Sequence, residues 1–295
     1  MRIGAHVSTR GHIWEAIGRA KDIGAECMQV FVSYPQRWLV PRIADEDAQE
    51  FRRLAQQEGI GPIYLHAIYL INFGTLDPDL FEKSIHALTQ YLKVAEQIGA
   101  AGVIAHMGSA LTRPITEAEE SVALGLEAAL RKADNGVPIL IENNAGSGNC
   151  LGSTFAQIGR FIDMCCGDEL LQVCLDTAHT FASGYDYPNA DCRQQMFDEI
   201  DRGFGRERIR AVHVNDSKAR FGSGVDRHEN LGEGFIGLKG LQDVLVPLAQ
   251  NDCNFILEVP GYEGHGPDRR NVDTLRKLVA GEPVETPQLA LFSAT

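Results

Sequence analysis

Short apolar runs alternate with longer amphipathic segments along almost the whole length of this 295-residue chain. The short runs are rich in β-branched residues, which is typical of buried strands, and the segments between them have helical periodicity. Strands that alternate with helices form βαβ units, whose strands pair in parallel. The eight predicted strands are residues 2–7, 27–32, 63–67, 102–107, 138–144, 171–179, 209–216 and 254–260.

The segments between the strands carry apolar residues on one helical face. In residues 77–97, Leu80, Ile85, Leu88 and Leu92 share such a face, and residues 116–133, 153–165 and 238–249 follow the same pattern. Eight βα units without a linker-like break predict one α/β domain, a (β/α)8 TIM barrel over residues 1–280. A doubly wound open sheet is the alternative, but no Gly-x-Gly-x-x-Gly motif follows the first strand, which argues against its dinucleotide-binding form.

The composition restricts the compartment and the partners. Seven cysteines without a Cys-x-x-Cys pair favour reduced thiols in a cytoplasmic protein over a disulfide framework. The first residues lack the apolar segment of a signal peptide, and no stretch approaches a membrane span, so we expect no membrane contact. A net charge of −13 argues against a broad basic face that coats nucleic acid.

Imidazoles and carboxylates recur at the carboxyl ends of six consecutive predicted strands. Because the active site of an α/β barrel forms at that end, we expect these side chains to share one rim. Asp226 and His228 add a pair after the seventh strand, and their i, i+2 spacing puts both on one side of an extended segment. The predicted rim set is His66, His106, Glu142, Asp176, His179, His213, Asp226, His228 and Glu258.

Nine such groups at one rim indicate bound metal ions. Four close carboxylates would repel one another and raise one another's pKa values, and cations remove that cost. Mixed His, Asp and Glu sets suit zinc, and also manganese or iron, and these nine would hold two or three ions. Multi-metal sites of this kind are typical of phosphoester cleavage. We interpret His12, His86 and His265 as structural, whereas the strand position of His6 suits a second layer behind the ligands.

Six segments resemble the endonuclease IV family, the apurinic/apyrimidinic (AP) endonucleases of base-excision repair. The resemblance covers residues 1–280, and its Asp-x-x-His, His-x-Asn-Asp and Asp-Arg-His elements occur in the family's order. The segments are Gly-Ala-His-Val-Ser (4–8), Ile-Glu-Asn-Asn-Ala-Gly (141–146), Leu-Asp-Thr-Ala-His (175–179), His-Val-Asn-Asp-Ser-Lys (213–218), Val-Asp-Arg-His-Glu (225–229) and Leu-Gly-Glu-Gly-Phe-Ile-Gly (231–237).

The resemblance implies a trinuclear zinc site, with Mn²⁺ or Fe²⁺ as substitutes. It implies hydrolysis of the phosphodiester 5′ to an abasic site in double-stranded DNA, and trimming of blocked 3′ ends. Glu142 and Glu258 are implied as catalytic, with Glu258 orienting the attacking water. One ion would be held by His66, His106 and Glu142, the second by Glu142, Asp176, His213 and Glu258, and the third by His179, Asp226 and His228.

The resemblance also implies DNA contacts. Tyr69 and Leu70 match a pair that inserts into the stack beside a flipped-out abasic nucleotide. Lys218 and Arg227 lie in the loop region after the seventh strand and are expected to contact phosphates, and the ions would make the rim positive despite the acidic chain.

Two loops depart from the family pattern. The family has an arginine two positions before a tryptophan in the second βα loop, where this chain has Gln36, with Arg37 directly before Trp38. The inserting arginine is therefore shifted or replaced. In a second departure, Gly224 stands where the family often has arginine, so one phosphate contact is expected to be absent.

Residues 281–295 form a tail with two prolines and two acidic residues before an apolar end, a composition typical of an exposed tether. Gln288, Leu289, Leu291 and Phe292 resemble the Gln-Leu-x-Leu-Phe peptide with which bacterial replication and repair proteins dock on the sliding clamp. The alternative is that this tail folds back on the barrel.

Two other functions stay open at this point. Sugar isomerases and epimerases share the barrel and its rim ligands but need only one or two metals, and His179, Asp226 and His228 argue for a third. A non-catalytic protein that binds damaged DNA would not need Glu258 beside a water-activating pair of ions. We expect a monomer that associates with the nucleoid during repair.

Overall fold

The computed structural model describes residues 1–40 and 42–284. Within them, eight parallel strands close into a barrel in the order β1-β10-β7-β6-β5-β4-β3-β2, which confirms the predicted (β/α)8 fold. The barrel strands are β1 (Ile3–His6), β2 (Cys27–Val30), β3 (Ile63–His66), β4 (Gly102–Ala105), β5 (Ile139–Glu142), β6 (Leu171–Asp176), β7 (Ile209–Val214) and β10 (Asn254–Leu257). Between β7 and β10, β8 (Asp216–Ser217) and β9 (His228–Glu229) pair antiparallel.

Helices cover the outside of the barrel. The longest, α3, begins where the Asp77 carboxylate accepts hydrogen bonds from the main-chain N–H groups of Asp79 and Leu80, and it ends at Gly99, whose φ of 71° is left-handed. The helices are α1 (Glu15–Asp22), α2 (Asp45–Glu58), α3 (Pro78–Ile98), α4 (Ile115–Ala133), α5 (Phe155–Met164), α6 (Thr177–Ala182), α7 (Ala190–Gly203), α8 (Gly237–Leu248) and α9 (Arg269–Val279).

The prediction for the sixth strand was wrong at its end. The strand was expected to run to residue 179, but it ends at Asp176, and His179 lies on α6. The Asp176 carboxylate accepts a hydrogen bond from the His179 main-chain N–H at 2.7 Å, so this residue caps the helix instead of continuing the strand. The other predicted strands are correct but also extend one to three residues too far.

The barrel interior is built in layers because side chains alternate between the two faces of a strand. One layer is an apolar cluster of buried residues inside the barrel: Cys27, Tyr64, Ile104, Leu140, Cys174, Ala211 and Ile256. Gly4 of β1 pairs in register with both Cys27 and Ile256 and completes the ring. The second core, between the barrel and the helices, is the larger one.

Two residues further along each strand, the inward positions change from apolar to polar. Because two residues bring a strand back to the same face, these positions form the next layer up, at the carboxyl end of the barrel. They are His6, Gln29, His66, His106, Glu142, Asp176, His213 and Glu258. None of the helices in the described part of the chain has the length and apolarity that a membrane crossing needs.

Candidate metal centre

His66, His106 and Glu142 form the first of three adjoining groups at the barrel mouth. The Oε2 atom of Glu142 lies 2.9 Å from His66 Nε2 and 3.3 Å from His106 Nε2. The carboxylate is almost completely buried, at the end of β5 between the two histidines. This group has three ligand atoms that converge from β3, β4 and β5.

The second group shares Glu142 with the first. The His213 Nδ1 atom lies 3.0 Å from the other carboxylate oxygen of Glu142, Oε1, and 3.2 Å from Oε2 of Glu258. Asp176 completes the group, with Oδ2 at 3.9 Å from the same nitrogen. The two oxygens of Glu142 therefore face two different groups.

The third group lies at the outer edge of the mouth. Asp176, His179 and His228 have ligand atoms within 4.8 Å of one another. Oδ1 of Asp226 also approaches, at 3.3 Å from His179 Nε2 and 3.2 Å from His228 Nε2. The β8–β9 hairpin carries the loop with Asp226 back over the mouth. The structure thus brings all nine predicted rim residues together.

Hydrogen bonds behind the histidines decide which nitrogen faces the mouth. Nδ1 of His66 donates to the carbonyl oxygen of Ala67 at 2.7 Å, and Nδ1 of His179 donates to that of Asn143 at 3.0 Å. Nδ1 of His228 lies 3.4 Å from the carbonyl oxygen of Glu258. The Nε2 atoms of these three rings therefore face the mouth, the arrangement that metal-binding histidines use.

The mouth is rich in acceptors and poor in donors. Among the described residues, Nε2 of His179 and Nε2 of His228 have no hydrogen-bond partner although they are buried. Buried polar atoms are rarely left without a partner in proteins. Unpaired imidazole nitrogens beside carboxylate oxygens are the donor set that divalent cations such as zinc take, so these residues fit metal ions.

The charges of the mouth support the same conclusion. Burial would raise the pKa of Glu142, but the imidazoles of His106, His213 and His179 lower it well below its ordinary value. Burial would likewise lower the pKa of His228, but Asp176 and Asp226 raise it to about 8. The surroundings therefore keep the carboxylates negative and favour added positive charge, so they attract a cation.

Two asparagines that the sequence reasoning missed hold the carboxylates in place. Nδ2 of Asn215 donates to Oδ2 of Asp176 at 2.7 Å, and its Oδ1 accepts from the Glu258 main-chain N–H at 2.9 Å. Asn143 accepts from the Asp176 main-chain N–H at 2.7 Å. Their position in the sequence could have indicated them, because Asn143 directly follows the rim residue Glu142 and Asn215 lies two residues after the rim residue His213.

Gln29 and His6 also belong to the mouth. Nε2 of Gln29 lies 2.9 Å from His6 Nδ1 and 2.6 Å from Glu258 Oε1. Burial lowers the pKa of His6 to about 4, so this ring is neutral. The prediction of a second layer at His6 agrees with this position. Gln29 was missed, although it was detectable as one polar residue in an apolar strand.

A groove of about 990 Å³ opens beside the metal centre. Tyr69 and Arg37 line it together with Tyr34, His228 and Glu258. Tyr69 is 53% exposed, and its ring stands edge-on to that of His66 with centroids 5.5 Å apart. The groove therefore joins the metal groups to an aromatic and cationic wall.

The other predicted DNA contacts differ in their exposure. Leu70 is half-buried and packs against the core, whereas Gln36 is exposed outside the groove lining. The Arg37 guanidinium lies over the Tyr34 ring, 5.1 Å from its centroid. Of the two residues in the altered loop, Arg37 is the one on the groove.

The two basic residues near β8 and β9 have different partners. Lys218 is exposed and forms an ion pair with Glu229, with 3.2 Å between Nζ and Oε2. Arg227 is exposed, and its Nη1 donates to the carbonyl oxygen of Asp226 at 3.1 Å. The predicted clamp-binding residues Gln288, Leu289, Leu291 and Phe292 lie outside the described residues.

Comparisons with known proteins give the family relationships. A family model described as "Xylose isomerase-like TIM barrel" matches residues 17–278. "Probable endonuclease 4" of Halothermothrix orenii is 32% identical over 277 residues, 94% of this chain and 100% of that protein. The crystal structure of endonuclease IV from Thermus thermophilus has a TM-score of 0.82 and 35% identity, covering 95% of this chain and 100% of that one. A D-tagatose 3-epimerase-like protein has a TM-score of 0.73 at 15% identity, covering 95% and 97% of the two chains, and shows the shared fold alone.

Proposed function

This chain belongs to the endonuclease IV family of the xylose isomerase-like TIM barrels, and we propose that it hydrolyses the phosphodiester 5′ to abasic sites in double-stranded DNA. It is a metal-dependent endonuclease of DNA repair. The observation that carries the proposal is the sharing of Glu142 between two ligand groups, beside a third, at a groove with an aromatic wall. The likeness to epimerases extends to the fold only.

Three zinc ions per chain are the proposed cofactors, with Mn²⁺ or Fe²⁺ as substitutes. His66, His106 and Glu142 would hold one ion, and Glu142, Asp176, His213 and Glu258 the second. His179, Asp226 and His228 would hold the third, with Asp176 at its inner side. When bound, divalent ions polarise a phosphate and lower the pKa of water.

Glu142 and Glu258 have different tasks in this proposal. Glu142 is buried and directs one oxygen to each of two groups, so it fixes the distance between them. Glu258 lines the groove, where substrate arrives. Its Oε1 accepts from Gln29, and its Oε2 is turned toward His213. We assign to Glu258 the orientation of the attacking water, because its carboxylate can accept a proton from that water.

The groove residues would select a missing base. The exposed part of the Tyr69 ring would enter the gap in the base stack, with Leu70 supporting it from the core side. An abasic nucleotide lacks the base that would clash on entering the groove, so the selection is steric. Arg37, Arg227 and Lys218 would contact phosphates, and Gln36 would contact the duplex outside the groove.

Further parts of the proposal rest on the sequence. Blocked 3′ ends are proposed as second substrates, because they too carry a phosphate group beside a gap in the stack. Residues 1–280 are proposed as one catalytic unit and residues 281–295 as a tether to the sliding clamp. We also propose that the enzyme acts as a monomer on the nucleoid.

Cleavage of a labelled duplex with one abasic-site analogue tests the proposal. We expect a cut on the 5′ side of the analogue that leaves a 3′-hydroxyl, which a DNA polymerase extends directly. The same duplex with an intact nucleotide at that position is the control and should stay uncut. Equal cleavage of both duplexes, or a cut on the 3′ side, would contradict the proposal.

A further inference from the structure

Gln29 uses every polar group of its side chain inside the metal centre. It lies on β2 and is completely buried. Its Nε2 contacts His6 Nδ1 at 2.9 Å and Glu258 Oε1 at 2.6 Å, and its Oε1 lies 2.7 Å from His213 Nε2. A buried amide with these three partners holds fixed positions in the network.

The carboxylate of Glu258 determines which way the amide of Gln29 points. An ionised carboxylate only accepts hydrogen bonds, so the group 2.6 Å from its Oε1 must be the NH₂ end of the amide. The opposite orientation would place two acceptor oxygens in contact. The second N–H of Gln29 is then directed at His6 Nδ1, which must accept it.

The oriented amide in turn determines which nitrogen of the neutral His213 ring carries the proton. The Gln29 Oε1 atom can only accept, so the His213 Nε2 atom that faces it must carry a proton. The neutral ring then has its lone pair on Nδ1. That atom is the one that points into the second group, 3.0 Å from Glu142 and 3.2 Å from Glu258.

Among the described rim histidines, His213 alone turns its Nδ1 atom into the mouth, whereas the others turn Nε2 into it. In His66, His179 and His228, the nitrogen that faces away from the mouth is Nδ1, and a main-chain carbonyl oxygen lies against it. No side-chain substitution removes a carbonyl. In His213 the nitrogen that faces away from the mouth is Nε2, and it is held by the side chain of Gln29. The orientation of this one ligand can therefore be changed by a substitution that touches no ligand.

We propose that Gln29 is a positioning residue of the second metal group: it selects the Nε2–H form of His213, fixes the rotation of Glu258, and so raises the group's affinity for a divalent ion. This inference rests on the proposed function in one respect, since it takes Glu142, Asp176, His213 and Glu258 to bind a metal ion. Residues behind metal ligands affect metal affinity by about 10–100-fold when substituted, and we expect a change of that size.

Zinc titration of Gln29→Met tests the proposal, because methionine has a similar length and no hydrogen-bonding amide. Metal-free protein would be titrated against a competing chelator, and the affinity of each ion measured. We expect one ion to bind about 10–100-fold more weakly than in the wild type, with the remaining affinities unchanged. An equal loss of affinity for every ion would indicate a general structural defect and overturn the proposal. Wild-type affinity for every ion would also overturn it.

Gln157→Met is the matched control. Gln157 is also buried, but its amide bonds Glu119 and the Gly152 main chain away from the mouth, with 2.8 Å between Gln157 Nε2 and Glu119 Oε1. This variant should lose stability without a change in any zinc affinity. If Gln29→Met does not fold, Gln29→Asn carries the same expectation, because its shorter amide cannot span the three partners.

A spectroscopic readout separates the orientation of His213 from packing. In zinc-loaded protein with ¹⁵N-labelled histidine, the His213 Nε2–H of the wild type should exchange slowly with water. In Gln29→Met that proton should exchange much faster, and an unchanged rate would overturn the proposal. A wild type that binds fewer than two ions would instead refute the metal centre itself, so the two failures are distinguishable.

Discussion

The Nε2 atom of His66 lies 2.9 Å from the Oε2 atom of Glu142, although 76 positions separate the two residues in the chain. Because Nδ1 of His66 donates to the Ala67 carbonyl oxygen, its Nε2 presents a lone pair to the carboxylate. Two acceptor atoms at this distance must share a proton or a cation. The same relationship recurs between His179 and Asp226, so the mouth contains more than one pair of groups that needs a shared proton or cation.

Glu258→Gln should separate metal binding from catalysis. Glutamine keeps the shape and one oxygen but cannot accept a proton from water. We expect near-full metal content and turnover reduced by about 100-fold or more, measured by metal analysis beside abasic-site cleavage. Glu263→Gln, in the loop after β10, is the control and should behave as the wild type. Activity near wild type in Glu258→Gln would remove this residue from the mechanism.

Arg37→Ala should weaken DNA binding through the groove. Arg37 lines the groove and is exposed, so we expect it to neutralise a phosphate when DNA binds. Its loss should reduce the slope of log affinity against log salt concentration by about one. Gln36→Ala, one position earlier and outside the groove lining, should leave that slope unchanged. Binding to an abasic duplex at several salt concentrations measures both, and a shift for Gln36 alone would contradict the assignment.

Asn215→Ala should weaken both the fold and the metal centre. It removes the buried amide that joins the Asp176 carboxylate to the Glu258 main chain. We expect the free energy of unfolding of the metal-free protein to fall by about 1–3 kcal/mol, together with weaker zinc binding. Denaturant unfolding measures the first effect. Asn251→Ala is the control, because the Nδ2 of that side chain has no hydrogen-bond partner among the described residues. If Asn215→Ala lowered the free energy of unfolding by less than Asn251→Ala does, the hydrogen bonds of Asn215 would not stabilise the fold.

Deletion of residues 287–295 should abolish binding to the sliding clamp and leave abasic-site cleavage intact. The deleted segment contains Gln288, Leu289, Leu291 and Phe292, whereas every proposed ligand precedes residue 260. A pull-down with purified clamp measures the first effect, and cleavage of the abasic duplex is its internal control. Clamp binding that survives the deletion would refute the role of this peptide.

The fold and the grouping of the rim residues could be predicted because both follow from short-range regularities. Alternation of apolar runs with helical segments specifies βα units, and parallel strands bring their carboxyl ends to one rim. The period of two along each strand then puts residues such as Leu140 and Glu142 in successive inward layers. The same regularity reaches Gln29, and applying it to β2 would have found this residue as it found His6 on β1.

The remaining features depend on tertiary contacts. The strand ending at Asp176 could not be distinguished from one ending at His179, because the choice depends on a capping hydrogen bond. Loop conformation decides that Arg37 lies on the groove and Gln36 outside it. Packing decides that Tyr69 is exposed while its neighbour Leu70 contacts the core. Local sequence patterns do not encode these outcomes.

Metal content measured against activity tests the central claim most directly. Purified protein would be depleted stepwise with a chelator, and the ions per chain would be counted in each fraction beside its cleavage of an abasic duplex. We predict about three zinc ions per fully active chain, and loss of cleavage as they are withdrawn. A fully active protein that contains one ion or none would contradict the account.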